Sequence, residues 1–338
     1  MRVKHPLISA LTIGALSALA LTGCTGASSD HDGADPGAAQ SGAADAKFPQ
    51  TVETAFGDVT VKAAPKRIVA LGWGDAETAL ALGYQPVGAS DWLEFGGDGV
   101  GPWAEGLYDQ SPKIIDTLEP SYEAIAALDP DLILDVKGSG ESERNARLSE
   151  IAPTIGVPED GKNYLTDQEE QVEMISTALG VPDKGDALLD EVDAAYEAAA
   201  KAHPEWDGKT VTAATKTSEG WGAYIEDSNR VETLERYGFE QNPQIETLPL
   251  NAEGFSVPIS SEQLDKMEAD LIVAFPIYID TTEITDDAQW KKLKAVKEGR
   301  SIVIDGDISA AYSLGSPQAA LYTVEHLTPL LEQALPAT

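Results

Sequence analysis

Short apolar runs rich in β-branched residues alternate with segments of helical period from residue 48 to the end of the chain. Apolar runs bounded by Gly, Pro and Asp predict buried strands, whereas apolar residues at three- and four-residue spacing predict amphipathic helices. The predicted strands are Arg67–Leu71, Pro86–Ala89, Lys113–Ile115, Asp131–Val136, Pro153–Val157, Lys209–Ala214, Ala223–Glu226, Asp270–Phe275 and Ser301–Ile304. The predicted helices are Asp75–Leu82, Ser121–Leu128, Ser142–Ile151, Asp167–Leu179, Asp183–Ala202, Asn229–Tyr237, Ser260–Met267, Asp287–Lys297 and Pro317–Ala334. Regular alternation of the two favours an α/β fold whose sheets are largely parallel.

The chain contains an internal repeat. Residues 121–134 read SYEAIAALDPDLIL and residues 260–273 read SSEQLDKMEADLIV. When the two segments are aligned at a constant offset of 139, Ser121 matches Ser260, Glu123 matches Glu262, and Asp131 matches Asp270. Each segment reads as a short helix that leads directly into a buried strand, and a repeat of two such units indicates two similar lobes. The alternative is that any helix-to-strand junction of an α/β fold has this pattern.

One long helix is predicted between the two halves. Apolar residues recur at helical spacing from Asp183 to Ala202, which at 1.5 Å per residue gives a helix of about 30 Å. A single stiff helix between two lobes leaves a cleft between them and limits the closure of that cleft. The predicted organisation is an N-terminal α/β lobe (48–182), the linking helix (183–203) and a C-terminal α/β lobe (204–338).

The first 23 residues have the pattern of a secretory signal. Arg2 and Lys4 precede an uncharged apolar run over 7–22, which is short for a membrane span of about 20 residues and has no basic flank after it. Residues 24–47 are rich in Gly, Ala, Ser and Asp without apolar periodicity, which predicts a flexible tether.

The chain's only cysteine follows that signal. Leu21-Thr22-Gly23-Cys24 resembles the lipobox of bacterial lipoproteins. The resemblance implies cleavage before Cys24 and acylation of its sulfur, and two or more acyl chains anchor a protein stably to a membrane. The alternative is a chance cysteine beside an ordinary signal cleavage site.

Charge and composition exclude several classes of function. The chain has 23 Lys and Arg against 57 Asp and Glu, for a formal net charge of −34, so its surface repels the phosphates of nucleic acids. A lone cysteine cannot form an intrachain disulfide or a multi-cysteine metal site. Only His203 and His326 lie in the predicted folded part, which disfavours a receptor for free zinc. The acidic excess also favours a monomer.

Several stretches together resemble the substrate-binding lipoproteins of iron–siderophore and vitamin B12 ABC importers. These stretches are Ala64–Leu71, Glu123–Ile133, Ser149–Thr154 and Gly315–Pro317. The resemblance implies two Rossmann-like lobes joined by a single long helix (the class III periplasmic-binding-protein type), no enzymatic activity, and a lipid anchor on the outer face of the cell membrane. It also implies that Glu123 and Glu262, one from each lobe, dock onto a permease. The alternative for both carboxylates is that they only cap their helices.

The loops that follow the predicted strands carry aromatic residues beside glycines. Ligands of open α/β sheets bind at the carboxyl ends of the strands, and exposed aromatics there suit a large, partly apolar chelate. The candidate ligand-binding residues are Trp73, Trp92, Trp103, Lys137, Lys216, Trp221, Tyr224, Arg230, Tyr278 and Tyr312. The expected ligand is a ferric siderophore, whose own oxygens hold the iron, so neither a cofactor nor a protein-bound metal is expected. Because few basic residues cluster in these loops, a hydroxamate-type chelate is expected rather than a trianionic catecholate.

Three further functions stay open. Haem needs an axial ligand, for which Tyr278 or Tyr224 is available, and a corrinoid suits the same fold. A surface hydrolase is the alternative of a different class. Ser139 lies between two glycines after a strand, but the spacing differs from Gly-x-Ser-x-Gly, and His326 lies inside a predicted helix.

Overall fold

The computed structural model describes residues 46–252 and 254–337. The predicted signal, Cys24 and the tether up to residue 45 lie outside the described residues. The strands are β1 (Gln50–Val52), β2 (Val59–Val61), β3 (Ile68–Ala70), β4 (Gly88–Ser90), β5 (Lys113–Ile115), β6 (Leu132–Leu134), β7 (Thr154–Ile155), β8 (Thr210–Thr217), β9 (Gly220–Tyr224), β10 (Glu240–Gln241), β11 (Ser256–Ile259), β12 (Leu271–Pro276) and β13 (Ser301–Val303). The helices are α1 (Asp75–Ala81), α2 (Tyr122–Ala126), α3 (Ser142–Ser149), α4 (Gln168–Ala178), α5 (Pro182–Ala202), α6 (Asn229–Glu235), α7 (Thr282–Thr285), α8 (Lys294–Lys297), α9 (Gly306–Leu314) and α10 (Pro317–Ala334).

The first lobe is built on a five-stranded parallel sheet in the order β5-β4-β3-β6-β7. Alternate residues of β3 enter opposite cores, as period-two side chains must. Ile68 packs in the core that includes α4, and Val69 packs in the core that includes Ile125 of α2 and Leu148 of α3. Helices therefore cover both faces of this sheet.

The second lobe has a mixed sheet in the order β11-β9-β8-β12-β13, with β10 beside the start of β8. Strands β8, β12 and β13 are parallel, whereas β9 is antiparallel to β8 and to β11. Only Ser218 and Glu219 connect β8 to β9, and so short a connection permits only an antiparallel hairpin. The expectation of largely parallel sheets is therefore correct for the first lobe and incomplete for the second.

The linking helix α5 begins with a proline in its first turn and ends at Ala202. It buries Val192, Tyr196 and Ala199 in the core of the second lobe. The predicted helix over 287–297 is wrong, because it is broken into a 3-10 turn at Trp290–Lys292 and the separate α8. The carboxylate of Glu268 accepts hydrogen bonds from the backbone N–H groups of Lys294 and Ala295, and so caps a new helix start.

The internal repeat has a structural counterpart at its aspartates. Asp131 accepts hydrogen bonds from the backbone N–H groups of Lys66 and Arg67, which precede β3. Asp270 does the same for Thr210 at the start of β8, at 3.0 Å. The helical parts differ, since Glu123 lies in the α-helix α2 and Glu262 lies in a 3-10 helix, Ser261–Met267.

The two sheets are connected a second time near α9 and α10. The described residues form one compact unit. Within it, Gln168 donates to Gly315 O at 2.7 Å, and the hydroxyl of Ser316 is hydrogen bonded to the buried carboxylate of Glu77. Leu314 and Ala319 pack in a cluster with Trp73 of the first lobe. Among the described helices, none is long and apolar enough to cross a membrane.

Candidate functional site

A cavity of about 290 Å³ lies where the carboxyl ends of β3, β4 and β6 face the second lobe. Its lining is mostly aromatic and aliphatic, which is typical of a site for a partly apolar ligand. The lining residues are Trp73, Trp92, Leu118, Lys137, Asn163, Tyr164, Leu165, Tyr224, Ser228, Asn229, Arg230, Phe255, Ile277 and Ser313.

Three aromatic rings form the wall that the first lobe contributes. The ring centroids of Trp73 and Trp92 are 5.3 Å apart, and those of Trp92 and Tyr164 are 5.1 Å apart in an edge-on arrangement. The indole N–H of Trp92 donates to Leu71 O at 2.9 Å, and that of Trp73 donates to Ser313 O of the second lobe at 3.2 Å. Both indoles are thereby fixed before a ligand arrives.

The wall contributed by the second lobe centres on Arg230 of α6. Its guanidinium lies 4.4 Å from the ring centroid of Tyr224, 5.6 Å from that of Trp73 and 5.9 Å from that of Phe275. These are cation–π distances. The Nε of Arg230 is buried and has no hydrogen-bond partner among the described residues.

Two basic side chains line the cavity although the chain is strongly acidic. Lys137 (3% exposed) and Arg230 both line it, and the described lining residues include no carboxylate. Burial lowers the pKa of Lys137, as does Arg230, while Glu232, Asp167 and Asp75 act in the opposite direction. The expectation that basic residues do not cluster at the candidate loops is wrong for this pair.

A buried carboxylate holds the lysine and the first tryptophan in place. Asp75 accepts a hydrogen bond from Val136 N at 2.8 Å and from Gln171 Nε2 at 2.6 Å, and a longer one from Lys137 N at 3.4 Å. Gln171 Nε2 also donates to Trp73 O at 2.8 Å. Burial raises the pKa of Asp75 to about 6, against the effect of these hydrogen bonds.

The structure brings five of the ten candidate residues into this one cavity. They are Trp73, Trp92, Lys137, Tyr224 and Arg230. The other five lie elsewhere. The Trp103 indole donates to Glu77 Oε2 at 2.6 Å and packs against Tyr322. Tyr312 is fully buried, and its hydroxyl donates to the carbonyl of Arg230 at 2.6 Å.

Two further candidates stabilise the second lobe instead. Lys216 Nζ pairs with Asp287 Oδ2 at 2.7 Å. Trp221 lies within β9 rather than in a loop, and it stacks on Trp290 with 5.2 Å between ring centroids. Tyr278 is 85% exposed and follows the lining residue Ile277, outside the cavity.

Nine of the lining residues are not among the candidates predicted from the sequence. Asn163, Tyr164 and Leu165 follow β7, so the rule that sites lie after parallel strands could have found them. Asn163 and Tyr164 have positive φ values of 54° and 62°, which turn this loop toward the cavity. The rule could not have found Ser228 or Phe255, because neither follows a parallel strand. Ser228 lies between the antiparallel β9 and α6, and Phe255 precedes the antiparallel β11.

Glu123 and Glu262 are both exposed, as a docking role requires. Ser121 caps α2 through its side chain, which accepts from Ala124 N. Ser260 makes no such cap, so the two carboxylates share a position in the repeat but not a capping motif.

Neither group of a hydrolytic dyad lies in the cavity. The Ser139 hydroxyl accepts from Glu141 N at 3.3 Å, and the His326 ring packs on Tyr322 with centroids 4.0 Å apart. Of the two axial haem candidates, Tyr224 lines the cavity and Tyr278 does not. Among the described residues there is no group of three or more His, Cys, Asp or Glu that could hold a metal ion.

Comparison with known proteins gives one family. Residues 68–308 match the family described as periplasmic binding protein. The probable siderophore-binding lipoprotein YfiY of Bacillus subtilis (strain 168) is 29% identical over 293 residues, covering 82% of this chain and 86% of that protein.

Two solved structures have the same fold. PiaA of Streptococcus pneumoniae TIGR4, in complex with ferrichrome, is 26% identical with a TM-score of 0.71, covering 84% of this chain and 98% of that one. SirA of Staphylococcus aureus, complexed with staphyloferrin B, is 24% identical with a TM-score of 0.66, covering 83% and 98%; at this identity the likeness concerns the fold alone.

These matches confirm the resemblance found in the sequence and the predicted α/β fold of the class III type. The chain belongs to the periplasmic binding protein family, whose members bind solutes and carry them without transforming them.

Proposed function

We propose that this protein is the substrate-binding component of an ABC importer and that it captures a ferric siderophore of hydroxamate type. The observation that carries the proposal is the cavity at the strand ends, with two aromatic walls and two cationic side chains. A ferric siderophore wraps the metal in its own oxygens. The protein then needs flat apolar surfaces and a few donors, which is what this lining offers.

The relatives support the ligand class. YfiY is named a probable siderophore-binding lipoprotein, and PiaA was solved with ferrichrome bound. At about 290 Å³ the cavity is at the small end for such ligands, so part of the chelate would project past its rim. Leu118, which is 69% exposed, lines that rim and offers an apolar contact.

The charges favour a neutral or weakly anionic chelate. Lys137 and Arg230 can compensate two negative charges at most, and the remaining protein is strongly acidic. A trianionic tris-catecholate would bring more charge than the lining balances. Arg230, whose guanidinium lines the cavity, is the group best placed to bind hydroxamate oxygens.

Tryptophan fluorescence tests the proposal, because Trp73 and Trp92 lie in the wall and a bound ferric chelate quenches them. Ferrichrome, a neutral tris-hydroxamate, is titrated beside a ferric tris-catecholate, hemin and cobalamin. We expect saturable quenching by ferrichrome. Arg230→Ala should weaken it at least about tenfold, since a charged hydrogen bond contributes about 1.5–3 kcal/mol.

Lys216→Ala is the matched control, because that cation pairs with Asp287 outside the cavity. Its affinity should equal that of the unchanged protein. Stronger binding of the tris-catecholate would contradict the hydroxamate class. A Soret band with hemin or tight binding of cobalamin, without ferrichrome binding, would replace the siderophore by haem or a corrinoid.

Delivery to the permease is proposed to use Glu123 and Glu262. Both carboxylates are exposed and occupy equivalent positions in the internal repeat, so each can pair with a basic residue of a membrane partner. The double variant Glu123→Ala, Glu262→Ala should keep its ligand affinity and lose uptake of radiolabelled iron in cells. Glu143→Ala with Glu159→Ala, two other exposed carboxylates, is the control. Normal uptake by the double variant would contradict the docking role and leave both carboxylates with helix capping alone.

The protein is proposed to be a monomer held at the outer face of the membrane by acyl chains on Cys24. The relative YfiY is named a lipoprotein, and Cys24 follows a signal-like segment. Mass spectrometry of the detergent-extracted protein should show acyl chains on a chain that begins at Cys24, and light scattering should show a monomer. A mature chain without acyl groups on Cys24 would contradict the anchor.

A further inference from the structure

Helix α6 has the ligand cavity on one side and an acidic cleft on the other. Arg230 lines the cavity, and Glu232, two residues later, lines the cleft between α4, α5 and α6. Glu232 is half-buried and acts electrostatically on the buried ammonium of Lys137. Asp75 lies beside the same lysine and accepts a hydrogen bond from its backbone N–H. The cavity cations are therefore backed by carboxylates that never reach the ligand.

We propose that Glu232, with Asp75, couples the binding of anionic chelates to proton uptake, so that the cavity accepts more negative ligands as the pH falls. This inference rests on the proposed function of the cavity as a chelate site. When Glu232 or Asp75 is ionised, its negative charge cancels part of the positive charge of Lys137 and Arg230. When the carboxyl is protonated, that positive charge is left to attract an anionic ligand. An incoming anion in turn favours the protonated carboxyl, so ligand and proton bind cooperatively.

The surroundings of Glu232 favour its protonated form. The described cleft residues around it are Asp167, Glu169, Glu173, Asp186, Asp190 and Asp193, with Arg236 as the one cation. Glu235 and Asp227 of its own segment add negative charge, and Lys137 opposes them. Burial is the main cause that raises the pKa of Glu232 to about 7; Lys137 acts against it, and Asp167, Glu235 and Asp227 add smaller increases. Burial raises the pKa of Asp75 to about 6.

As the pH falls, protonation of each of these groups makes the net charge in and around the cavity more positive. As the pH falls from 8 to 5.5, Glu232 loses its negative charge first and Asp75 follows. Lys137, whose pKa burial lowers, can only gain positive charge over that range. Uptake of one proton changes the affinity by at most about tenfold per pH unit.

The test compares a neutral and an anionic chelate from pH 8 to pH 5.5 by fluorescence titration. Ferrichrome is the neutral probe, and ferric citrate is the anionic one. We expect the affinity for ferric citrate, relative to ferrichrome, to rise several-fold on acidification. Calorimetry in two buffers of different ionisation enthalpy should show proton uptake with ferric citrate near pH 7.

Glu232→Gln supplies the decisive variant, because glutamine imitates the protonated carboxyl. It should bind ferric citrate at pH 8 more tightly than the unchanged protein does at pH 8, and its affinity should depend less on pH. This gain of affinity cannot come from misfolding. Glu240→Gln, which removes one exposed carboxylate at β10, is the control for net charge and should behave like the unchanged protein.

Three results would overturn the inference. They are a selectivity that does not change with pH, an equal pH dependence in Glu232→Gln, and no binding of ferric citrate at any pH while ferrichrome binds. If ferrichrome also fails to bind at every pH, the proposed function fails with it, so the two failures are distinguishable.

Discussion

Lys216 and Trp221 share one carboxylate, that of Asp287, which explains why neither serves the cavity. Lys216 Nζ lies 2.7 Å from Asp287 Oδ2, and the Trp221 indole N–H donates to the same oxygen at 3.3 Å. Backbone N–H groups of Gln289 and Trp290 donate to the other oxygen. Burial raises the pKa of Asp287, but these hydrogen bonds outweigh it and lower the pKa to about 2.

Asp287→Asn should destabilise the protein by about 1–3 kcal/mol, because it leaves the partly buried ammonium of Lys216 without its counter-charge. Urea denaturation at pH 7 measures the change. The matched control is Asp286→Asn, whose pair with Lys291 is exposed and is worth about 0–1 kcal/mol. Equal losses for the two variants would contradict the structural role of Asp287.

The same carboxylate predicts a loss of stability in acid. A folded-state pKa of about 2 lies below the ordinary value, so the stabilisation is fully present above pH 4 and is lost as the pH falls from 4 to 2. The difference between the ordinary pKa of an aspartate and that of Asp287 in the folded protein corresponds to about 2 kcal/mol of folding free energy. In Asp287→Asn this part of the acid transition should be missing. An unchanged acid profile in the variant would exclude the carboxylate as its source.

Half of the residues predicted from the sequence line the cavity, because the end of a strand determines where the following loop begins. Trp73, Trp92 and Lys137 follow parallel strands of the first lobe directly, and the structure places all three in the cavity. Trp221 also stands beside glycines, but its stacking on Trp290, 69 residues later, decides its place. Such a partner cannot be read from local pattern, because it depends on how distant segments pack.

At the scale of elements, the start of α10 joins the two lobes. Ser316 caps this helix by accepting from Ala319 N, and the Ser316 hydroxyl is hydrogen bonded to Glu77 of α1. Glu77 is 2% exposed and also accepts from Gly101 N and Trp103 Nε1. One buried carboxylate of α1 therefore binds two other segments, residues 101–103 and the start of α10. The sequence predicted the bounds of α10 correctly, but it gave no indication of this cross-lobe contact.

Ser316→Ala should cost about 1–3 kcal/mol, since it removes a helix cap and one partner of a buried carboxylate. Ser121→Ala removes only an exposed cap, that of α2, and should cost about 0.5–1 kcal/mol. Thermal unfolding of both variants measures the difference. If Ser121→Ala were the more damaging change, the junction would not contribute to stability as argued.

At the scale of the whole molecule, the cavity lining differs in charge from the rest of the acidic chain. The chain carries a formal charge of −34, yet the described cavity lining contains two cations and no carboxylate. Composition alone could not show this, because it averages over positions that folding separates. The repeat did predict two lobes, since each half must build its own sheet and core.

Two connections between the lobes restrict how far the cleft can close. The 21-residue helix α5 is one, and the junction of Trp73, Glu77 and Gln168 with residues 313–316 is the other. A hinge motion would have to break the second set, whose groups are largely buried. We therefore expect small-angle scattering profiles with and without ferrichrome to be nearly superimposable. A compaction by several ångström on binding would contradict this, whereas Ser316→Ala, which loosens the junction, should increase the difference between the two profiles.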